Sequence, residues 1–353
     1  MKALSVLTLA SLLPAAAAAQ NPKGLAEADS LLKVLVESYG PSGMEAPVRE
    51  AVRRALPSWT RPQTDSAGNL WVTAGQGEPT VVFVAHLDEV GFVVQGIEET
   101  GLLALEPLGG IFPELWEARP ALVHTGGGPV PGVFQPRDSR GVMRADLGTA
   151  SRAATEALGV RVGHTVTMPK EYVRLAGYRA TGRSFDDRVG STALVLALRR
   201  LDPRRLRHTV IFLWSVREEI GLEGAQAAAD SLRSGPVRVH AVDTFVSADS
   251  PLEPQAFAVA PLGKGPVARA LDNSSATPPA YLDSLVTLAR GRGIPLQIGT
   301  TNGGNDGSVF GAYGVPDVPL GWPLRYSHSP VEVIDLRDLL QLAELVRAAA
   351  EGW

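Results

Sequence analysis

The sequence predicts an α/β protein: a mixed, largely parallel sheet flanked by helices, with a small β-domain inserted into it. Three observations carry this. Val81-Val82-Phe83-Val84-Ala85 is an unbroken apolar run, four of its five residues β-branched or aromatic, which reads as a strand buried on both faces. Thr209 to Val216 repeats the pattern, and segments of helical spacing lie around both runs. From about Phe92 to Arg179 the texture changes to short β-like runs between Gly and Pro turns, the signature of a small barrel or sandwich.

In chain order, Met1-Lys2 followed by the Ala-rich apolar stretch to Ala19, with small residues at Ala17-Ala18-Ala19, reads as a secretory signal peptide over residues 1–19. The mature protein is accordingly expected to be secreted or periplasmic. Leu25 to Tyr39 has helical spacing and stops at Gly40-Pro41-Ser42-Gly43. Ala46 to Leu56 is a second helix, stopped by Pro57. Asp65 to Asn69 is a turn into a strand at Leu70 to Thr73, and the strand at 81–85 follows. Within the insert, strands are expected at 92–94, 102–105, 121–124 and 165–167, with a helix at 151–158 and a hairpin turn at Gly126-Gly127-Gly128. The α/β pattern returns with a helix at 191–201, the strand at 209–216, a helix at 225–232 and a strand at 237–242 ending before Asp243. A helix at 281–290 and strands at 296–298 and 318–320 follow. Asp335 is placed to cap a last helix whose apolar positions include Leu339, Leu340, Leu342 and Leu345. The expected division is residues 20–93 with 181–353 as one discontinuous catalytic domain and 94–180 as the inserted β-domain.

Composition narrows the chemistry. The 353 residues are 45% hydrophobic and 20% charged, as in ordinary globular proteins, and the formal net charge of -4 argues against nucleic acid or an anionic membrane as partner. There is no cysteine, so thiolate metal sites and Cys nucleophiles are excluded, and any metal must sit on His and carboxylate. Open α/β sheets place their sites at the carboxyl ends of strands. Here acids and histidines follow the apolar runs: His86 and Asp88, Glu218 and Glu219, Asp243, and His328 further on, with Phe185-Asp186-Asp187-Arg188 directly after the insert. Two His and several carboxylates suit a hydrolytic zinc site, and a shared carboxylate would allow two metals ~3.5–4 Å apart.

Taken together, Ala85-His86-Leu87-Asp88-Glu89-Val90-Gly91, Phe185-Asp186-Asp187-Arg188, Arg217-Glu218-Glu219-Ile220-Gly221, Val242-Asp243-Thr244, Gly303-Gly304-Asn305-Asp306-Gly307 and Arg325-Tyr326-Ser327-His328-Ser329 resemble the dinuclear metallo-aminopeptidases. These are the enzymes that include the glutamyl and deblocking aminopeptidases and "cellulase M". The resemblance runs over essentially the whole mature chain. It implies a zinc-exopeptidase-like fold whose insert is a small β-barrel, and two divalent ions per subunit, zinc or cobalt. His86 and Asp243 would serve one metal and Glu219 and His328 the other, with Asp186 bridging, Glu218 as general base and Asp88 supporting His86. Glu218 would take the proton of an attacking water and pass it to the leaving amine, and a free α-amine at the metals would make the enzyme an exopeptidase on short peptides. The resemblance also implies a homo-oligomer, since the family forms dodecamers, and a cis Asp186–Asp187 peptide. The loop Asn305-Asp306-Gly307-Ser308 departs from the family's commoner Thr-Asp-Ala-Gly, which bears on specificity.

Bland roles are assigned elsewhere. His124, His164, His208 and His240 are read as surface or packing residues, Asp187 as a supporting group or helix cap, and Asp249 as the rival to Asp243. A glycoside hydrolase and a non-catalytic metal- or peptide-binding protein are the alternative functions. Adjacent Glu218 and Glu219 on an extended chain would point apart, whereas a glycosidase needs two carboxylates facing across ~5–9.5 Å.

Overall fold

A computed structural model describes residues 21–249 and 259–352. The expected signal segment lies outside them. Among the described residues no helix is long and apolar enough to cross a membrane.

Helices α1 (Pro22–Val36) and α2 (Ala46–Ala55) precede β1 (Gln63–Thr64), β2 (Leu70–Ala74) and β3 (Thr80–His86). Six strands then close a barrel: β4 (Gly91–Ile97), β5 (Leu103–Leu108), β6 (Pro120–Thr125), β7 (Gly128–Gln135), β8 (Met143–Asp146) and, after helix α3 (Arg152–Ala157), β9 (Thr165–Thr167). A short pair, β10 (Val173–Arg174) and β11 (Arg179–Gly182), leads to α4 (Phe185–Arg200). The remainder is β12 (Thr209–Ser215), α5 (Glu223–Leu232), β13 (Pro236–Val246), β14 (Val267–Leu271), α6 (Pro279–Gly291), β15 (Gln297–Thr300), β16 (Leu320–Leu324), β17 (Glu332–Asp335) and α7 (Leu336–Gly352).

The main sheet has eight strands in the order β1-β2-β12-β3-β13-β16-β14-β15. Its centre, β12-β3-β13-β16, is parallel; β2 and β14 join antiparallel. The two-sided burial expected of 81–85 is realised by alternation. Val81, Phe83 and Ala85 enter the core beneath α1, α4 and α7, while Val82 and Val84 enter the opposite core with Ala228, Ala229 and Phe310. A wholly buried side chain of this size stabilises the fold by ~1.5–3 kcal/mol. At the end of the chain, Asp335 Oδ1 accepts the Arg337 amide (3.0 Å), the expected cap of α7.

The barrel has its own core, in which Phe92, Trp116 and Phe134 pack with ring centroids 5.3 to 5.6 Å apart. Its strands run from Gly91 to Thr167, so the expected bounds of 94–180 shift at both ends. Residues beyond β9 belong elsewhere: β10 and β11 form a three-stranded sheet with β17, Gly182 pairing with Glu332. Other expectations are also corrected. The strand expected at 237–242 extends to Val246, because β13 leaves β3 after Ala241 and pairs with β16 from Val242. The one expected at 318–320 is β16, at 320–324. β7, where no strand was expected, is a strand held between β6 and β8 despite Gly128, Pro129, Pro131 and Gly132. The Gly126-Gly127 turn joins β6 to β7 as a tight hairpin, Thr125 pairing with Gly128.

Candidate metal centre

His86 ends β3, and its orientation is fixed from three sides. Its backbone N–H donates to Asp187 Oδ2 (2.9 Å) and its carbonyl accepts from Ser191 Oγ (3.1 Å). Asp88 Oδ1 stands 3.5 Å from its ring Nδ1. That leaves Nε2 facing Asp186 Oδ1 at 3.1 Å. The last β13–β3 pair is Ala241 with Val84, so Asp243 and His86, two residues further along each strand, come level on the same face. Asp186 enters at the start of α4, where the Asp186–Asp187 peptide is cis. Asp187 Oδ1 also accepts the Gly190 amide (2.9 Å), so Asp187 both caps the helix and supports His86, the role expected of it.

On the other side of Asp186, its Oδ2 lies 3.4 Å from His328 Nε2, which lies 3.4 Å from Glu219 Oε2. The structure therefore brings together the five residues expected to bind metal. One group of close ligand atoms comprises His86, Asp186 and Asp243; another comprises Asp186, Glu219 and His328; Asp186 is common to both. A third, His86, Glu218 and Glu219, brings in the expected base. Asp249 does not join them: Arg325 grips it with two bonds (2.8 and 2.7 Å). None of His124, His164, His208 or His240 enters these groups. His240 is fully buried, stacked on Phe83, with Nδ1 2.8 Å from the Val318 carbonyl.

The electrostatics are those of an acidic pocket. Burial drives the Glu218 carboxyl well above the usual range, with Asp243, Glu219 and Asp306 adding to the push against His86. Burial likewise pushes Glu219 and Asp306 up to about 7. Asp186 differs: burial works to raise it, but the imidazoles of His328 and His86 outweigh that and hold it below the usual range. So many buried carboxylates favour ionisation together only with further positive charge among them. The donor set fits a divalent ion in three respects. Buried Glu219 Oε1 and Asp306 Oδ1 have no hydrogen-bond partner among the described residues. His328 Nδ1 faces the Gly110 carbonyl, which makes it the N–H and leaves the Nε2 lone pair toward Asp186 and Glu219. Imidazole and carboxylate without thiolate suit a divalent metal ion.

Residues 68–345 match the family model described as M42 glutamyl aminopeptidase. The chain belongs to that family. It is 31% identical over 342 residues to the lysyl aminopeptidase of Pyrococcus furiosus, covering 91% of this chain and 96% of that one. Its fold is similar to that of the Pyrococcus horikoshii TET1 peptidase, which can assemble into a tetrahedron or a large octahedral shell (TM-score 0.85, 33% identity, 92% and 100% coverage). A Thermotoga maritima protein described as an endoglucanase is also similar (TM-score 0.76, 28% identity, 91% and 96% coverage). This M42 enzyme is thus a metal-dependent aminopeptidase, a peptide hydrolase.

In this M42 chain the acidic groups floor a cleft of about 420 Å³, walled by Gly110 and Phe112 from the barrel, Arg269 from β14 and Asn302 to Gly304 from the glycine-rich loop after β15. Glu218 and Glu219 depart from the extended geometry expected of them. Residues 216–222 form a turn with positive φ at Arg217 and Leu222, and carboxylate atoms of both acids belong to one group spanning at most 4.8 Å. They still face different histidines, Glu218 Oε2 lying 4.0 Å from His86 Nε2, but the turn rather than a strand pleat sets this. Asp88, expected within the catalytic set as the support of His86, is fully buried and absent from the cleft wall. It is a positioning residue: it accepts Ser42 Oγ (2.6 Å) and the amides of Glu218 (2.9 Å) and Glu219 (3.1 Å) while facing His86. Three participants escape sequence reasoning: Arg269, 3.6 Å from Asp243; the Gly110 carbonyl; and Glu332. Glu332 follows His328 by four residues, the one signal that could have marked it.

Proposed function

We propose that the cleft holds two divalent cations, zinc or cobalt, sharing Asp186, with His86 and Asp243 on one and Glu219 and His328 on the other. The observation that carries this reading is the pair of three-residue groups with Asp186 in common. Two such ions, when bound, supply positive charge that acidifies water and stabilises the oxyanion of a hydrolysed peptide. The chain's own residues do the rest. Glu218, in the cleft wall beside His86 and Glu219, accepts a proton from the attacking water and returns it to the leaving amine. Asp88 holds the Glu218 and Glu219 amides and the His86 ring in register. The acid-lined floor favours the free ammonium of a peptide N-terminus, which suits short peptides cleaved one residue at a time.

The relatives' assemblies support a homo-oligomer, with the dodecamer as the expected size. The composition of residues 1–19 supports secretion or a periplasmic location. A glycosidase reading is disfavoured, because Glu218 and Glu219 crowd one group together with His86 instead of facing across a gap of ~5–9.5 Å.

The test measures metal stoichiometry and chelator-sensitive hydrolysis of leucyl and glutamyl anilides, in the wild type and two variants. Glu218→Gln is expected to keep its metal and lose ~10²–10⁴-fold in turnover. Glu219→Gln is expected to lose metal as well. Wild-type turnover by Glu218→Gln, or metal loss equal to that of Glu219→Gln, overturns the division of roles.

A further inference from the structure

We infer that Glu332 is a positioning residue that pre-forms the half of the centre made by Asp186, Glu219 and His328; the inference rests on the two-metal reading above. Glu332 is 2% exposed and does not line the cleft, so it acts only through other groups. Its carboxylate accepts three backbone N–H bonds from two separate segments. Oε2 takes Phe185 (2.6 Å) and Asp186 (3.3 Å), and Oε1 takes His328 (2.9 Å). One side chain thus ties the amide of the shared carboxylate residue to the amide of a histidine that faces it.

The backbone explains why such a tie is needed. Ser184 (φ 71°), Tyr326 (φ 61°) and His328 (φ 59°) are all left-handed, a conformation that non-glycine residues adopt only where their surroundings enforce it. At these bends the N–H groups of Phe185 and His328 turn inward, away from any strand ladder. Buried amides must find acceptors, and the two oxygens of one carboxyl group supply them here. The fold delivers it to the right place: β17 begins at Glu332, and Glu332 pairs with Gly182 at the end of β11, three residues before Phe185. Asp88 has the same relation to the other acidic segment through the amides of Glu218 and Glu219. Both buried carboxylates bind backbone, and neither lines the cleft.

Glu332→Gln keeps the volume and one oxygen but turns an NH₂ donor toward either His328 or the Phe185–Asp186 amides. Zinc titration of the metal-stripped protein, followed by calorimetry, reads the effect directly. Wild type is expected to bind two equivalents. In Glu332→Gln one of them is expected to weaken ~10–100-fold, the usual size of a supporting-group effect, while the other stays within about threefold. The KM for a leucyl anilide is expected not to move, whereas kcat falls at limiting zinc and recovers as zinc is raised. Glu332→Asp, which keeps both oxygens, is expected to lie between Gln and wild type. Two unchanged zinc equivalents in Glu332→Gln overturn the inference. So does equal weakening of both, or loss of fold in both variants, since each assigns Glu332 a purely structural role. If wild type binds fewer than two zinc ions, the two-metal reading fails first and this inference falls with it.

Discussion

Asp88 and Glu89 are consecutive and wholly buried, yet their surroundings are electrically opposite. Asp88 faces the acidic centre. Glu89 turns the other way and meets Lys170 (2.6 Å), Arg183 (3.1 Å) and Arg188 (3.7 Å), together with the Gly40 amide and the Ser184 hydroxyl. Burial alone would raise Glu89; the guanidinium of Arg183, the Lys170 ammonium and Arg188 outweigh it and hold the carboxyl well below the usual range. For Lys170 burial wins even against Glu89 and holds the amine well below its ordinary value. One cluster thus has acids in excess and the other bases, back to back across a single peptide. The acidic cluster leaves buried oxygens open, as a site for mobile cations must. The basic cluster instead carries its cations on the chain itself, with Arg183 Nε and one terminal Arg188 nitrogen buried without a hydrogen-bond partner, and it joins the end of β3, the segment after β9 and the start of α4.

The comparison can be broken most directly at Glu89. Glu89→Gln leaves Arg183 and Arg188 buried without a counter-charge and is expected to cost ~3–5 kcal/mol, read as a lowered urea midpoint. A loss below ~1 kcal/mol would mean that this carboxylate does not hold the cluster. Next in size is the response to metal, confined to the acidic side. Zinc at ~100 times its Kd is expected to raise unfolding stability by ~2.7 kcal/mol per independent site, and a chelator to remove the gain. That increment should shrink in Glu219→Gln and persist in folded Glu89→Gln; the reverse pattern would exchange the roles of the two clusters.

A smaller effect tests the reach of the basic cluster. His124, on β6, has Nε2 2.8 Å from Thr167 Oγ1. Burial, with help from Arg183 and Lys170 and against Glu89, pulls its pKa down to about 4. An unfolded histidine takes its proton near pH 6.5, so the contribution is fully present above that pH and is lost as pH falls toward 4. Allowing for the ring's partial exposure, the wild type should lose ~1–2 kcal/mol across that window relative to His124→Gln. Parallel pH profiles for the two proteins would rule this out. The smallest change is expected from Lys170→Met, within ~1 kcal/mol of wild type by chemical denaturation, because Arg183 and Arg188 remain beside Glu89. A loss above ~3 kcal/mol would show that Lys170 carries an indispensable charge.

What could be read in advance follows from where the information resides. β3 and β12 were plain because both faces of a parallel strand demand apolar side chains. Acids and histidines after the apolar runs were plain, and the family resemblance implied which five of them bind metal; Asp186, at the start of α4, and His328, beyond β16, sit at no strand end. β14 hid because Arg269 sits in its middle, and β7 because two prolines mimic a turn. β10, β11 and β17 are too short to carry a period, and they exist because distant segments pair, Gly182 with Glu332. Glu332 and Gly110 went unnoticed for a related reason. They act on or through backbone atoms, which every residue has and no sequence pattern marks.

The bond from His328 Nδ1 to the Gly110 carbonyl joins residues 218 positions apart. Histidine and carbonyl meet only when the barrel has closed, docked on the sheet, and received a segment from near the far end of the chain. A nascent polypeptide, or one clipped before residue 328, carries most of the acids of a hydrolase and lacks the finished active site. The connectivity thereby makes the finished site depend on the completed fold, since one of its histidines is oriented by a carbonyl from the other half of the chain.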